Sequence, residues 1–416
     1  MLFYLFIFIL PFHSDPRFGY VIIQNSFLVL TPLKLFGLVT LIVAFLSKRT
    51  LPGAQRTVNP LPFLLIPFSI LPSLSTVLSG LPVPPNFVSQ AMTAILLYVT
   101  MGLVVIDRGR FTMVVRCVVT GFTFGALWVY KQYFLQHYKQ AFGLEGEPNY
   151  EALMLLPAVA LSFWMGGWET SLRWRRIGWS CAILLVGALI LTKSRAGIGA
   201  MILEGSVAVL RGRKRTLGFA LLTAATLLLL TFGPTDLKER FSNIKFSGAA
   251  RNGDEASTRI HVELSRAAMR MTLAHPFFGV GVGRFSELAP QYNPELRTLT
   301  NFGYIAHNTF LQMSAESGLP ILAAFLAMIL LSRSRLRKVE TADDGQLAAL
   351  GVSLEAALSA VAFAACFITV ELLPFWLLVY LSFRLFDITR AETVASSLAK
   401  RSLSASRVFQ LRGVSA

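Results

Sequence analysis

The chain has 416 residues, of which 54% are apolar and 14% are charged, and its mean hydropathy is +0.61. A soluble globular protein carries about 25% charged residues, so this composition excludes that class. The net charge of +16 lies mostly in short loops between apolar blocks, and orientation in a membrane therefore explains it better than nucleic-acid binding does.

Apolar blocks recur along the chain at lengths near the roughly twenty residues that a helix needs to cross a membrane. The sequence therefore predicts an all-α polytopic membrane protein with about 12 transmembrane helices, the first of which is shortened. The blocks lie at 2–12, 28–46, 61–80, 88–106, 111–130, 151–166, 177–192, 197–210, 217–233, 308–331, 347–369 and 372–387.

These blocks divide the chain into four regions. Residues 1–233 carry helices 1–9, residues 234–306 form one large hydrophilic loop that contains helices, residues 307–387 carry helices 10–12, and residues 388–416 form a flexible, basic tail. Lys and Arg are concentrated in alternate loops, which the positive-inside rule assigns to the cytoplasm together with both termini. The large loop is then predicted to lie outside.

Within the large loop, residues 257–274 have a helical period. Apolar side chains recur on one face, and a polar stripe follows at the same spacing. Ser257 or Thr258 is predicted to cap this helix, and His275-Pro276 is predicted to end it. The apolar face consists of Ile260, Leu264, Ala267 and Met271, and the polar stripe of Arg259, Glu263, Arg266 and Arg270.

The polar stripe of this loop helix allows two interpretations. Arg259 and Glu263 are spaced to pair along the helix, while Arg266 and Arg270 can equally form a solvated face or contact lipid headgroups. The run Gly279, Gly281 and Gly283 that follows lacks the strand and helix of a dinucleotide fingerprint, so a flexible or tightly turned loop is predicted there.

The block after the loop opens with His307-Asn308. Asn308, Gln312 and Glu316 follow one another at helical spacing, so they form a polar stripe that runs into the bilayer. A carboxylate at that depth is costly and should face the bundle interior, either in the site or as the partner of an arginine. His307 is a candidate general base, and the alternative is an interfacial histidine without a task.

A second polar position lies at Arg195, which is predicted to be exterior. The small residues after it, Ala196 and Gly197, would let another helix or a ligand approach closely. The alternative is that Arg195 extends to the lipid headgroups. The segment 146–151 also precedes a helix, and it could be a cap and turn only.

Exterior arginines together with an exterior histidine suit a diphosphate substrate. A guanidinium binds phosphate through a planar fork, and a neutral imidazole can take the proton of an attacking hydroxyl. The chain contains no Asp-x-Asp sequence that would indicate Mg²⁺ and no P-loop, so no metal and no cofactor is predicted. A donor that reaches the outer face within the membrane, such as a lipid-linked diphosphate sugar, fits this chemistry.

The residues at these positions resemble a known family. HPFFGVGVGRF (275–285) followed by HNTFLQMSAESGLP (307–320) is similar to the signature of the O-antigen ligase and oligosaccharide polymerase superfamily of bacterial membrane glycosyltransferases. KSRAG (193–197) resembles its Ser-Arg element, and GEPNYEA (146–152) resembles its Asn-Pro-Asn element with Glu147 at the first Asn. Arg259 matches the arginine that opens the loop helix, although the aromatic residue usual just after it is absent.

This resemblance implies an inverting, metal-independent transfer of a glycan from undecaprenyl diphosphate to an acceptor hydroxyl at the periplasmic face of the bacterial inner membrane. His307 would be the base, and Arg195 and Arg259 would bind the diphosphate. The weaker site candidates are Asn149, Glu316, Asn308 and Arg266.

The sequence leaves open both the acceptor and a function of another class. The acceptor would be lipid A-core for an O-antigen ligase or another lipid-linked glycan for a polymerase of O-antigen or exopolysaccharide. A function of another class is a transporter or flippase of a lipid-linked or anionic solute. Such a protein would carry repeats or paired broken helices near mid-bilayer, whereas here the notable polar groups cluster at one predicted face.

Overall fold

A computed structural model describes residues 1–15, 21–24, 29–47, 61–78, 85–211, 253–298, 305–369 and 372–412. These residues are almost entirely helical, as predicted. The α-helices are α1 (Leu2–Ile9), α2 (Pro32–Leu46), α3 (Leu61–Leu78), α4 (Pro85–Val104), α5 (Arg108–Tyr130), α6 (Pro148–Trp168), α7 (Leu172–Leu191), α8 (Arg195–Arg211), α9 (Gly253–Ala274), α10 (Phe285–Tyr292), α11 (Thr309–Ser317), α12 (Leu319–Glu340), α13 (Gly345–Ala364) and α14 (Leu373–Arg412).

Short elements of other kinds join these helices. Leu10–Phe12 and Pro294–Thr298 are 3₁₀-helices, and Lys131–Leu135 continues α5 as a π-helix. Two strands of two residues each, β1 (Ile23–Gln24) and β2 (Val29–Leu30), pair antiparallel, with Ile23 opposite Leu30.

Five helices among the described residues are long and apolar enough to cross a membrane, and the chain is a multi-pass membrane protein. Shorter apolar helices lie over Leu2–Phe12, Pro32–Leu46, Leu61–Ser73 and Gln90–Val104. The predicted block 217–233 lies outside the described residues, so the count of twelve stays a prediction, as do the orientation and the boundaries of the four regions. The five long helices are Arg108–Leu135, Pro148–Trp168, Leu172–Leu191, Leu319–Glu340 and Gly345–Ala364.

The bundle is built around α6. Of its most apolar stretch, 83% is buried, a larger share than in any other of the five long helices. Glu147 caps its N-terminus by accepting a hydrogen bond from the Tyr150 N–H, and Pro148 occupies the first helical position. Gly178 of α7 meets Gly166 of α6 so closely that a side chain at Gly178 would collide with the α6 backbone. The absence of Cβ atoms thus lets these two helices pack tightly.

One predicted helix is two helices in the structure. The prediction of a single helix over 308–331 is wrong, because the chain breaks at Gly318, where φ is 86° and ψ is 170°. A side chain there would lie 2.3 Å from the carbonyl oxygen of Phe277, so only glycine fits. Pro320, which has no N–H to donate, stands in the first turn of the new helix α12.

The prediction for the loop helix is confirmed, with an earlier start. α9 begins at Gly253, so the proposed caps at Ser257 and Thr258 are wrong, and it ends at Ala274, directly before His275-Pro276. Its predicted apolar face is buried in a small hydrophobic cluster, which we call the loop core. The loop core consists of Leu264, Ala267, Ala268, Met271, Val280, Phe285, Ala289, Leu296, Ala306 and Ala315.

The C-terminal region also differs from its prediction. A flexible end was expected after Asp387, but α14 continues as a helix to Arg412. Its first part packs into the bundle, where Trp376, Leu377 and Tyr380 are buried. The side chains of residues 391–398 are exposed. This change from buried to exposed follows the change from apolar to polar residues, while the helical backbone simply continues.

Candidate functional site

The two short sequence elements at 146–152 and 193–197 meet in space. The Ser194 hydroxyl donates a hydrogen bond to Asn149 Oδ1 at 2.6 Å, and Asn149 Nδ2 donates one to Glu147 Oε1 at 2.8 Å. Ser194 Oγ also accepts from the N–H of Gly197 at 3.1 Å, so this hydroxyl caps the start of α8. Asn149, predicted as a weaker site candidate, therefore lies beside the turn that carries Arg195.

That turn has an unusual backbone. Lys193 has a φ of 52°, in the left-handed region that few residues other than glycine adopt. The N–H of Lys193 donates to the Ile190 carbonyl at 3.0 Å, which closes the turn after α7. Arg195 then becomes the first residue of α8, where the N–H groups of the helix end add positive potential to its guanidinium. This combination suits an anionic group.

The segment Pro276–Arg284, which we call the glycine loop, wraps around the C-terminal end of α11. All three glycines predicted to make a turn have positive φ: Gly279 65°, Gly281 101° and Gly283 76°. The N–H groups of Val280 and Gly281 donate to the carbonyls of Ala315 and Glu316 at 2.9 and 3.0 Å. The loop is therefore tightly turned, and it satisfies carbonyls that the helix end would leave free.

Glu316 belongs to this contact. Its buried carboxylate accepts a hydrogen bond from the Phe285 N–H at 3.1 Å and faces Gln312 Nε2 at 3.4 Å. The expectation that it faces the bundle interior is wrong, because the polar loop folds back and supplies backbone donors in place of an arginine. Glu316 thus lies at the end of α11 away from His307, and these contacts indicate that it holds the loop.

Asn308 and its neighbours fix the start of α11. Asn308 Oδ1 accepts from the Leu311 N–H at 3.0 Å and caps the helix, while its Nδ2 donates to the Cys366 carbonyl at 3.0 Å. Thr309 donates through its hydroxyl to the Ile368 carbonyl at 2.7 Å. Both polar ends of the Asn308 side chain are engaged by backbone, so it orients the chain that carries His307.

His307 itself lies in the segment before α11 with a φ of 49°. Its imidazole stacks on that of His261 of α9, with ring centroids 4.1 Å apart and planes inclined by 4°. Burial lowers the pKa of His307 below its ordinary value near 6.5. Burial, then the charge of His307 and then that of Arg195, lower the pKa of His261 to about 4. The pair is therefore neutral at pH 7, and a neutral imidazole can accept a proton.

Arg195 and the histidine pair share one electrostatic environment. They come from α8, from α9 and from the segment before α11, which the sequence could not show to be neighbours. Arg195 is half-buried at the start of α8 and acts on His261 through its charge. A guanidinium that acts electrostatically on a neutral base can bind an anion while the base deprotonates a nucleophile.

Arg259 and Arg266 of α9 differ in their position relative to His261. Arg259 lies in the first turns of α9, two residues before His261, and its side chain is outside the described set. Its predicted pairing with Glu263 therefore stays a prediction. Arg266 is 57% exposed and contacts Glu263 at 2.6 Å. Because a helix turns about 100° per residue, Arg266 points to a different side of α9 from His261.

Residues 180–326 match the family model described as O-antigen ligase. The predicted resemblance to the O-antigen ligase superfamily is confirmed. The matched range of this ligase family contains Arg195, α9, the glycine loop and His307, whereas Asn149 precedes it. The family indicates a glycan-transferring membrane enzyme that works with a lipid-linked glycan and an acceptor. No curated protein matches the chain.

His261 is the site residue that the sequence did not reveal. It lies between the apolar face and the polar stripe of the loop helix. Its position two residues after Arg259 is the one local feature that places it near the predicted site. Its partner His307 lies in a distant segment, and a stack between residues so far apart leaves no periodic signal in the chain. Ser194 likewise has no sequence signal of its own beyond its place next to Arg195.

Proposed function

We propose that this protein is an inverting, metal-independent glycosyltransferase that moves a glycan from undecaprenyl diphosphate to an acceptor hydroxyl at the periplasmic face of the inner membrane. The observation that carries the proposal is the stack of the neutral His261 and His307 rings, on which the charge of Arg195 acts. A cation for the leaving diphosphate and a base for the entering hydroxyl are the two groups that this reaction needs.

The reaction follows from these roles. His307 takes the proton of the acceptor hydroxyl, whose oxygen forms a bond to the anomeric carbon of the donor sugar. The bond from that carbon to the diphosphate oxygen breaks, and the diphosphate leaves with the electron pair. Arg195 and Arg259 would neutralise its charge. One displacement from the opposite side inverts the anomeric centre.

The acceptor that we propose is lipid A-core, as in an O-antigen ligase. A polymerase would use the same groups on a second lipid-linked glycan, so the choice depends on what enters the acceptor side. Transfer to a lipid-linked acceptor alone would assign the protein to the polymerases. In this proposal Asn149 orients the turn of Arg195, Asn308 orients the segment of His307, Glu316 holds the glycine loop, and Arg266 has no direct role.

The test is reconstitution of the purified protein in liposomes with an undecaprenyl diphosphate-linked glycan and either acceptor, in the presence of EDTA. We expect product with at least one acceptor, and loss of about 10²- to 10⁴-fold in rate in His307→Ala. His275→Ala is the matched control, since His275 is an exposed histidine of the same region that contacts Tyr292. Absence of transfer in the parent, together with movement of the lipid-linked glycan across the bilayer, would refute the proposal in favour of a flippase.

A further inference from the structure

The two stacked imidazoles come from separate elements that meet face to face. His261 is half-buried on α9, and His307 lies directly before α11. The separation of 4.1 Å and the tilt of 4° mean that the rings are parallel and in contact over much of their surface. Each ring therefore covers one face of the other and keeps water from it.

The backbone at His307 makes this contact important. With a φ of 49°, the residue is in neither helical nor extended conformation, so regular secondary structure does not set the direction of its side chain. The cap by Asn308 and the bond from Thr309 to Ile368 hold the chain, but neither touches the ring. Among the described residues, the stack with His261 is the ring contact that holds the plane of the imidazole.

Charge supports the same arrangement. Two protonated imidazoles at this distance would repel each other strongly, and Arg195 at the start of α8 adds a further positive charge. On α9 itself, the carboxylate of Glu263 is engaged by Arg266 and by Asn293, so it is occupied elsewhere. The stack is therefore compatible with neutral rings and would be opened by protonation of both.

We propose that His261 is a positioning residue for His307, which it serves by holding the plane of the ring through stacking and by shielding one of its faces from water. This inference rests on the proposed function, in which His307 is the base. A base must point one nitrogen at the acceptor hydroxyl, and an error of about 1 Å in such a position can cost on the order of 10²-fold in rate. His261 need not exchange a proton for this role.

Two substitutions separate stacking from proton transfer. His261→Phe keeps a flat ring but has no nitrogen, and His261→Ala removes the ring. We expect the Phe variant to keep turnover within about threefold of the parent and the Ala variant to lose tens of fold in kcat, with donor KM little changed. In the Ala variant the acid limb of the pH–rate profile should also move to higher pH, because His307 becomes more hydrated and its pKa rises towards 6.5.

A measurement that needs no turnover accompanies these assays. Diethylpyrocarbonate modifies neutral, accessible imidazoles, and mass spectrometry can follow its reaction at His307 in the full-length protein. We expect faster modification of His307 in His261→Ala and an unchanged rate in His261→Phe, with His275 as the internal reference. This result would support the stack even if the parent transferred no glycan, so failure of the proposed function is distinguishable from failure of this inference.

Two outcomes would overturn the positioning role. A Phe variant as inactive as His307→Ala would mean that a nitrogen of His261 takes part in the reaction. An Ala variant with parental kcat, pH profile and modification rate would mean that the stack has no effect on His307.

Discussion

The candidate site lies between two hydrophobic cores of different origin. The bundle core gathers residues from along most of the chain, and it includes Ile198 and Ala200 of α8, the helix that begins with Arg195. Among the described residues, the loop core is built from residues between Leu264 and Ala315, which belong to the segments around His261 and His307. Arg195 thus lies on the bundle core and His261 on the helix of the loop core. The helix α11, which follows His307, contacts both cores, through Phe310 and Met313 on the bundle side and through Leu311 and Ala315 on the loop side.

The largest expected effects come from substitutions of Arg195 and His307, which should change different kinetic quantities. Arg195→Ala should weaken donor binding and reduce kcat/KM by about 10²- to 10³-fold, because the leaving diphosphate loses its counter-charge. His307→Ala should reduce kcat while donor affinity stays close to that of the parent. Donor titration by fluorescence and single-turnover rates measure the two quantities. Arg195→Lys should recover little, because a point charge lacks the planar fork.

The matched control for Arg195 is Arg270→Ala. Arg270 lies on α9 with its guanidinium bonded to the Tyr292 carbonyl, away from the histidine pair. We expect near-parental donor affinity in this variant. An equal loss in Arg195→Ala and Arg270→Ala would show that general positive charge, not the site, attracts the donor.

The next effect tests the attachment of the loop core. Gly318→Ala places a side chain against the Phe277 carbonyl and forces a left-handed conformation, which costs about 1–3 kcal/mol or more. We expect faster hydrogen exchange in residues 275–298 and a strong loss of turnover, with the bundle helices unchanged. Gly167→Ala in α6 is the control, since a side chain there meets nothing within 4 Å. If Gly318→Ala raised hydrogen exchange equally in residues 275–298 and in the bundle helices, a separate loop core would be contradicted.

A smaller effect is expected from the bundle side. Asn149→Ala removes the acceptor of the Ser194 hydroxyl and the link to Glu147, so the turn before Arg195 loses one anchor. We expect about a fivefold loss in kcat/KM, mostly through donor affinity, since a hydrogen bond of this kind contributes about 1 kcal/mol. Asn149→Asp keeps an acceptor for Ser194 but places a second carboxylate against that of Glu147, so it should lose at least as much as Asn149→Ala. A loss confined to kcat would place Asn149 with the base instead.

The smallest effect concerns pH. Burial lowers the pKa of His307, so the midpoint of the acid limb of kcat/KM should lie below pH 6.5. A base with the ordinary pKa would already have lost about half of its rate at pH 6.5. A profile with that midpoint in the parent protein would show that the loop core does not shield the ring.

Much of the fold was predictable because membrane helices and the loop helix have strong local patterns. The apolar face with Leu264, Ala267 and Met271 is buried as its spacing indicates. The break at Gly318 was missed because an apolar run of sufficient length does not reveal a single glycine in a left-handed conformation. The helix after Asp387 was missed because polar composition is compatible with both an exposed helix and a flexible end.

The site was predictable in its parts but not in its assembly. Arg195 and His307 each stand next to a helix start with small or polar neighbours, and such local signals can be read from the chain. Glu316 was assigned to the wrong environment, since nothing local shows that a glycine-rich segment will fold back and donate to it. The stack of His261 on His307 depends on how α9 packs against α11, and no pattern along the chain encodes that distance.

The length of α11 has a consequence for the geometry of the active centre. Its nine residues separate His307 from the helix end to which the glycine loop is hydrogen-bonded, so this helix acts as a spacer of fixed length. One inserted residue would rotate the imidazole by about 100° around the helix axis and shift it by about 1.5 Å, which would unstack the rings. The number of residues in this short helix therefore sets the orientation of the imidazole, and a deletion should be as harmful as an insertion.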